Sequence, residues 1–182
     1  MVIMTTNKIM LREFSVEDKT QVAKLCNNKK ISDNLRDIVP FPYSENDSLE
    51  FIKYCLEQNP KTTFAIEKDG ELVGTIGLVI QTDIYRHTAE IGYWIGEIFW
   101  GQGIATEAVK LLTGYGFNKL NLVRIYTGVF DFNIPSQRVL EKSGYKLDCI
   151  FKDAIIKNGK ICDEYRYSIL KNKKITTTPF SY

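Results

Sequence analysis

The stretch from Trp100 to Ala108, which reads Trp-Gly-Gln-Gly-Ile-Ala-Thr-Glu-Ala, decides the fold. It follows a strand-like run and opens directly into a helix. Gly101 and Gly103 let the chain turn sharply and let a ligand approach the backbone closely. The free N–H groups and the positive dipole end of the new helix point at whatever binds there. The pattern predicts an anion site suited to a pyrophosphate, although a plain strand-to-helix turn accounts equally well for the glycines alone.

The neighbouring sequence narrows the choice of phosphate site. The turn lacks the third glycine of a dinucleotide fingerprint and the Gly-Lys-Ser/Thr ending of a P-loop, so both of those interpretations lose support. Strands are predicted over residues 89–96 and 122–129, with the helix between them. The second strand is followed by Asn-Ile-Pro-Ser-Gln-Arg-Val-Leu-Glu-Lys-Ser-Gly-Tyr over residues 133–145.

This order of motifs resembles the GNAT superfamily of acyl-CoA-dependent N-acyltransferases, whose glycine turn has the pattern Gln/Arg-x-x-Gly-x-Gly/Ala. Gly103 and Ala105 fit that pattern, and Trp100 departs from its first position. The three motifs together look most like the branch containing the ribosomal-protein alanine N-acetyltransferases, and the match covers nearly the whole chain. The resemblance implies a mixed α/β fold: one GNAT-like domain over residues 1–170, with a mostly antiparallel central sheet, splayed parallel strands and flanking helices.

Composition excludes several other classes. The chain has 182 residues, of which 44% are hydrophobic and 25% charged, and this suits one ordinary globular domain. A net charge of +2 gives no global basic field for nucleic acid. No apolar run approaches the ~18 residues that span a bilayer, and the N-terminus is too short and uncharged for a signal peptide, so we expect a cytoplasmic protein without membrane contact.

Cysteine and histidine usage argues against a metal site. One histidine, His87, and four widely spaced cysteines without a C-x-x-C motif support neither zinc nor a disulfide framework. We expect the cysteines to be small buried or half-buried apolar residues. They are Cys26, Cys55, Cys149 and Cys162.

Local signals place the remaining elements. Alternation predicts a strand over residues 7–14, and capping-box patterns at Ser15 and Ser44 predict two helices, the first running to about residue 28. Residues 29–43 are predicted to form a loop over the site. Asp-Gly and Asn-Gly pairs at 69–70 and 158–159 predict hairpin turns. The basic and threonine-rich tail, residues 171–182, is expected to be poorly ordered.

The resemblance also implies a set of cofactor-binding residues. The pyrophosphate of acetyl-CoA would lie on the amides from Gly101 to Thr106, and the pantetheine arm would lie between the two splayed strands. An unpaired amide near Gly92 or Tyr93 would receive the oxyanion. The cofactor-binding residues are then Tyr93, Trp94, Ile95, Gly101, Gln102, Gly103, Ile104, Ala105, Thr106, Asn133 and Ser136.

Two residues are candidates for the proton transfers. Strand alternation places Glu90 on the face opposite Ala89 and Ile91, and a carboxylate among apolar residues suits a general base. Equally open are a glutamate exposed at the strand end or paired with Arg124, and proton removal through ordered water. The resemblance places Ser136 beside the sulfur as proton donor, with the alternative that it is an ordinary first-turn residue.

Two further residues near that helix carry alternatives. The resemblance places Asn133 against the pantetheine arm, with the alternative that it is a helix cap. Tyr145 is a second donor candidate, although an aromatic residue that opens a strand is more often part of the core.

The free-energy cost of deprotonating the amine favours one class of acceptor. Freeing an α-amine of pKa ~8 at pH 7 costs roughly 1.4 kcal/mol, whereas a lysine amine at ~10.4 costs roughly 4.6 kcal/mol. Direct acetyl transfer to a protein or peptide N-terminal α-amine is therefore predicted, without an acyl-enzyme. The acceptor surface is expected on the 29–43 loop, the second helix and the 158–159 hairpin.

Two alternative functions stay open at this point. A small-molecule amine such as a polyamine, amino acid or drug is the first, because acidic residues lie on the second helix. A non-catalytic CoA-binding sensor is the other. Both a monomer and a homodimer paired through the last strands are compatible with the chain. The acidic residues are Glu45, Asp47, Glu50 and Glu57.

Overall fold

An eight-stranded sheet forms the centre of the computed structural model, which describes residues 3–6 and 8–171. The spatial order of the strands is β1-β2-β3-β4-β5-β6-β8-β7. The strands are β1 (Ile3–Thr5), β2 (Met10–Arg12), β3 (Thr63–Lys68), β4 (Glu71–Ile80), β5 (Thr88–Ile95), β6 (Arg124–Phe130), β7 (Lys146–Lys157) and β8 (Lys160–Leu170). The helices are α1 (Lys19–Cys26), α2 (Lys29–Ser32), α3 (Glu45–Glu57), α4 (Ile104–Lys119) and α5 (Ile134–Lys142).

Strand direction follows from the connections. Short turns join β3 to β4 and β7 to β8, and both pairs are antiparallel. Strands β5 and β6 are joined through the sixteen-residue helix α4 and are parallel, because a parallel pair needs a long crossover connection. The other neighbouring pairs in the sheet are antiparallel. The predicted mixed α/β fold is therefore confirmed.

The core lies on both faces of this sheet. On one face, α4 packs its apolar stripe, including Ala108 and Leu112, against Ile91 of β5 and Ile125 of β6. On the other face, α1 and α3 cover the β3–β5 end, and Trp94 packs against their cluster. Successive residues of β5 thus face opposite sides, as the alternation predicted.

The predicted capping and turn signals are present. Ser15 and Ser44 both form capping boxes, and the Ser44 box opens α3. At the first hairpin Asp69 and Gly70 have φ of 51° and 80°, and at the second Asn158 and Gly159 have φ of 51° and 75°. Positive φ at both central residues is the geometry that Asp-Gly and Asn-Gly pairs favour.

Two predicted elements were wrong in detail. The strand predicted over 7–14 is shorter, β2 from Met10 to Arg12, because the Thr6 backbone N–H donates to Ile9 O at 2.9 Å and closes a turn between β1 and β2. Asn7 itself lies outside the described residues. The 29–43 segment is not entirely a loop, since Asn28 accepts from the amides of Lys30 and Ile31 and starts the short helix α2.

Only the first residue of the predicted C-terminal tail lies within the described part of the chain. Lys171, the first residue of the predicted tail, donates its backbone N–H to Val123 O at 2.9 Å, and the rest of the tail, 172–182, lies outside the described residues. Among residues 3–6 and 8–171, no helix is long and apolar enough to cross a membrane.

Removing the ring of Phe64 tests how far the core governs stability. Phe64 is 0% exposed and lies edge-on to the Tyr115 ring at 5.6 Å. We expect Phe64→Ala to lower the free energy of unfolding by about 3–5 kcal/mol, measured by urea denaturation. Tyr54→Ala removes an aromatic side chain that is 63% exposed and should change stability by less than about 0.5 kcal/mol. Equal losses for the two variants would contradict this placement of the core.

Candidate active site

The glycine turn before α4 has its amides free. Gly101 and Gly103 have φ of 76° and 79°, and a Cβ at either position would meet nothing within 4 Å, so the turn is open on the outside. Gly103 caps α4 without a side-chain hydrogen bond. In the described part of the chain, the amides from Gly101 to Thr106 have no acceptor. Free amides at a helix N-terminus suit a phosphate group, and the predicted contact with the pyrophosphate agrees with this geometry but stays a prediction.

Two side chains that flank the turn add to it. Trp100, where the family pattern has Gln or Arg, donates its indole N–H to Ile95 O at 2.7 Å and so ties the turn to the end of β5. Lys68 donates Nζ to Gln102 Oε1 at 2.6 Å, which places a cation beside the free amides. Sequence reasoning missed Lys68, although its place just before the Asp-Gly hairpin was a usable signal.

The parallel strands diverge as predicted. Strands β5 and β6 pair at Thr88–Arg124, Ala89–Ile125 and Glu90–Tyr126 and at no later pair of described residues. Beyond that point the two strands continue without each other and leave a cleft. Gly92 lies on the β5 side of this cleft, and a Cβ there would meet nothing within 4 Å. A cleft between diverging strands has unpaired backbone groups that can bind an extended chain as an added strand.

Glu90 lies at the point of divergence, and its surroundings differ from those predicted. Its carboxylate forms an ion pair with Arg36, and its side chain is 19% exposed. The expected alternative partner, Arg124, instead pairs with Asp148 at 2.5 Å. Glu90 is in register with Val79 of β4 and Tyr126 of β6, so its neighbours across the sheet are apolar or aromatic, and the ion pair with Arg36 is the feature that was not predicted. Burial raises the pKa of Tyr126, and the negative charge of Glu90 raises it further.

A second ion pair on the same face was not predicted. Arg166 donates Nε to Glu164 Oε1 at 2.8 Å, and its guanidinium lies 5.2 Å from the ring centroids of Tyr126 and Phe151. A Cβ on Gly128 would lie 2.5 Å from the Glu164 carboxylate carbon, so glycine makes room for that carboxylate. The available signal was the alternation of charged and aromatic residues in β8, an interior strand.

The segment after α2 contacts the tip of the β7–β8 hairpin. Lys157 donates to Asp37 at 2.6 Å, and the Asn158 amide donates to Asp33 at 2.8 Å. The Lys157 side chain is 7% exposed, whereas its partner Asp37 is 78% exposed, so the lysine is buried beneath an exposed carboxylate. The 29–43 segment and the 158–159 hairpin, two of the three surfaces predicted to select the acceptor, are therefore in contact beside Lys157.

Both the backbone and the side chain of Ser136 form hydrogen bonds. Its backbone N–H donates to Asn133 Oδ1 at 3.2 Å, so Asn133 is a helix cap. Its Oγ lies 2.9 Å from the Tyr93 hydroxyl. Burial raises the pKa of Tyr93 to about 12. The alternative donor Tyr145 is 3% exposed, and its hydroxyl lies 2.8 Å from Thr113 Oγ1, which makes it part of the core.

The cysteines are free and only partly as expected. Cys26 and Cys55 are buried, and burial raises the pKa of both thiols to about 12. Cys162 is half-buried, but Cys149 is exposed, which contradicts the prediction. Among residues 3–6 and 8–171, no group of three or more His, Cys, Asp or Glu side chains is arranged to hold a metal ion.

Comparison with known proteins agrees with this fold and site. Residues 8–146 match the family described as Acetyltransferase (GNAT) domain. The N-acetyltransferase YnaD of Bacillus subtilis (strain 168), itself uncharacterized, is 31% identical over 170 residues, covering 93% of this chain and 97% of the relative. The chain therefore belongs to the GNAT acetyltransferase family.

Two other relatives have names that mention a substrate. The putative ribosomal N-acetyltransferase YdaF of Bacillus subtilis (strain 168) is 37% identical over 105 residues, 58% of this chain and 57% of YdaF. The spermidine N(1)-acetyltransferase of Escherichia coli (strain K12) is 28% identical over 171 residues, 93% of this chain and 89% of the relative.

Solved structures share the whole fold. A GNAT-family acetyltransferase from Bacillus anthracis superposes with a TM-score of 0.80 at 27% identity and covers 93% of this chain and 98% of its own. The microcin C7 self immunity acetyltransferase MccE, in complex with acetyl-CoA and AMP, superposes with a TM-score of 0.78 at 26% identity, covering 91% and 94%. This protein is thus an acetyl-CoA-dependent N-acetyltransferase.

Substituting Gly103 tests whether the free amides hold the CoA pyrophosphate. Alanine at its left-handed φ costs about 1–2 kcal/mol and displaces the turn. We expect Gly103→Ala to bind acetyl-CoA about tenfold more weakly by calorimetry, which corresponds to about 1.4 kcal/mol. Gly159→Ala has the same strain, at φ 75° with open space around it, but lies on the β7–β8 hairpin and not in the turn before α4. Equal affinities for the two variants would remove the turn from the binding site.

Proposed function

We propose that this enzyme acetylates the α-amine at the N-terminus of a protein or peptide. The observation that carries the proposal is the charge balance on the Glu90 face of the cleft. Glu90 and Glu164 each have an arginine partner, Arg36 and Arg166 respectively. The charges of these four groups sum to zero, so together they offer no negative surplus to a polycation. Like charge on the arginines disfavours such a substrate further.

The same arginines suit a peptide. Arg36 pairs with Glu90 through Nη2, and its side chain is 70% exposed, so other guanidinium donors reach solvent. An arginine carries five N–H donors. A peptide N-terminus presents one amine followed at fixed spacing by carbonyl acceptors, whereas a polyamine presents donors only. Arg36 and Arg166 can therefore bind the first carbonyl oxygens while the amine faces Glu90.

The proton balance assigns a role to each residue. The acetyl group arrives as a thioester, the amine nitrogen forms a bond to its carbonyl carbon, and the C–S bond then breaks with its electron pair going to sulfur. Glu90 takes the proton that nitrogen loses, directly or through one water. Ser136 gives its hydroxyl proton to sulfur and regains a proton from solvent, and Glu90 releases its proton to solvent, before the next cycle. Amides of β5 near Gly92 donate to the carbonyl oxygen as charge builds on it. One proton leaves nitrogen and one reaches sulfur.

A small polyamine is the rival acceptor, and one relative acts on spermidine by name. The acidic residues of α3 that favoured this rival are partly committed elsewhere. The Asp47 carboxylate accepts from the amide and hydroxyl of Ser44, and Glu50 pairs with Lys53. The YdaF name favours a ribosomal protein acceptor. The lower cost of deprotonating an α-amine, about 3 kcal/mol below a lysine amine at pH 7, adds to this preference.

A thiol-release assay with matched acceptors tests the proposal. One peptide begins with a free α-amine and lacks lysine. A second differs from it only in a blocked N-terminus and one internal residue replaced by lysine, and the third acceptor is spermidine. We expect kcat/KM for the free N-terminus to exceed that for the other two by about a hundredfold or more, the 3 kcal/mol difference in ionisation energy. Preference for spermidine would assign the enzyme to polyamines, and preference for the blocked peptide would assign it to lysine side chains.

Paired carboxylate variants test the base. We expect Glu90→Gln to lower kcat for the peptide about a hundredfold, the usual contribution of a general base. Glu164→Gln changes a carboxylate on the same face with the same kind of arginine partner, and it should change kcat by less than about tenfold. A larger loss for Glu164→Gln would transfer the role of base to Glu164.

A further inference from the structure

The Tyr93 and Ser136 hydroxyls meet across the cleft between the diverging strands. Tyr93 belongs to the part of β5 beyond its last pair with β6, and Ser136 belongs to the first turn of α5, which follows β6. Their oxygens are 2.9 Å apart. We infer that Tyr93 is a positioning residue that fixes the Ser136 hydroxyl for donation to the departing sulfur. This inference rests on the role of proton donor given to Ser136 in the proposed function.

The hydrogen bond restricts a group that otherwise rotates. A serine hydroxyl has one donor and two acceptor sites, and nothing in its own bonding fixes the direction of its proton. The Asn133 side chain holds the Ser136 amide at 3.2 Å and so fixes the backbone but not the hydroxyl. The Tyr93 hydroxyl has two acceptors on Ser136, Oγ at 2.9 Å and the carbonyl oxygen at 3.4 Å, and when it donates to the nearer Oγ one acceptor site of that oxygen is filled. The serine proton then points away from Tyr93, and the O–H is limited to the two remaining rotamers for donation into the cleft.

Tyr93 is suited to donate and not to ionise. Burial raises the pKa of its phenol to about 12, with the Ser136 contact acting in the opposite direction. The phenol therefore keeps its proton at any assay pH near neutrality. Because a phenol is more acidic than an alcohol, it is the better donor of the two. As Ser136 gives up its proton, the same bond from Tyr93 stabilises the charge that builds on Oγ.

Tyr145 provides a matched control in the same part of the core. It has a phenol whose pKa burial also raises, and its hydroxyl is bonded to Thr113 at 2.8 Å. Tyr145→Phe therefore removes the same atom and breaks the same kind of hydrogen bond without touching Ser136. A loss due only to a weakened core would appear in both tyrosine variants.

The test is a double-mutant cycle with Tyr93→Phe and Ser136→Ala, measured as single-turnover rates with a free N-terminal peptide. We expect Tyr93→Phe to slow acetyl transfer about tenfold in the wild-type background, equivalent to about 1.4 kcal/mol, and to have no effect in Ser136→Ala. Acetyl-CoA affinity by calorimetry should stay within about twofold, and Tyr145→Phe should keep the wild-type rate within about twofold.

The other outcomes separate the two hypotheses. Equal slowing by Tyr93→Phe in both backgrounds, or an unchanged rate for Tyr93→Phe while Ser136→Ala is slow, would overturn the positioning role and leave Ser136 as donor. An unchanged rate for Ser136→Ala would remove the donor role itself and the positioning role with it. Equal slowing by Tyr93→Phe and Tyr145→Phe would assign the effect to the core.

Discussion

The site depends on the point at which two neighbouring parallel strands stop pairing. Strands β5 and β6 begin as hydrogen-bonded parallel neighbours and part after the pair Glu90 and Tyr126. A continuous sheet would satisfy these backbone groups internally and leave no slot for a ligand. Since buried amides and carbonyls need partners, the parting creates a requirement that an extended ligand can meet. The catalytic candidate Glu90 lies on β5, and the candidate Ser136 lies in the first turn of α5, which follows β6.

Much of this was predictable from local sequence. Gly101 and Gly103 have the positive φ that only glycine adopts without strain, and a sequence pattern records that directly. Capping boxes at Ser15 and Ser44 depend on residues three apart, so they too appear in the sequence. The order of strand, turn, helix and strand followed from the same short-range signals, whereas the parallel pairing of the two strands was implied by the family resemblance.

The electrostatic partners were not predictable, because they are set by long-range packing. Glu90 is 54 residues from Arg36 along the chain, and Lys157 is 120 residues from Asp37. The sequence placed Glu90 on the correct face of β5 but offered Arg124 as its partner. Only the register of β6 and the path of the 33–39 segment decide which cation reaches it. The partners of the charged residues on that face could therefore be identified only from the folded structure.

The alternation of β5 has a consequence for how protons travel. Glu90 faces the side of the sheet on which Arg36 and Arg166 lie, whereas Tyr93 faces the side packed against α4 and the first turn of α5. Proton uptake and proton delivery would then take place on opposite sides of one strand, and the sheet itself is a barrier between them. The enzyme would exchange its two protons with solvent by separate routes in each cycle, and the rate of resetting each side would respond to different mutations.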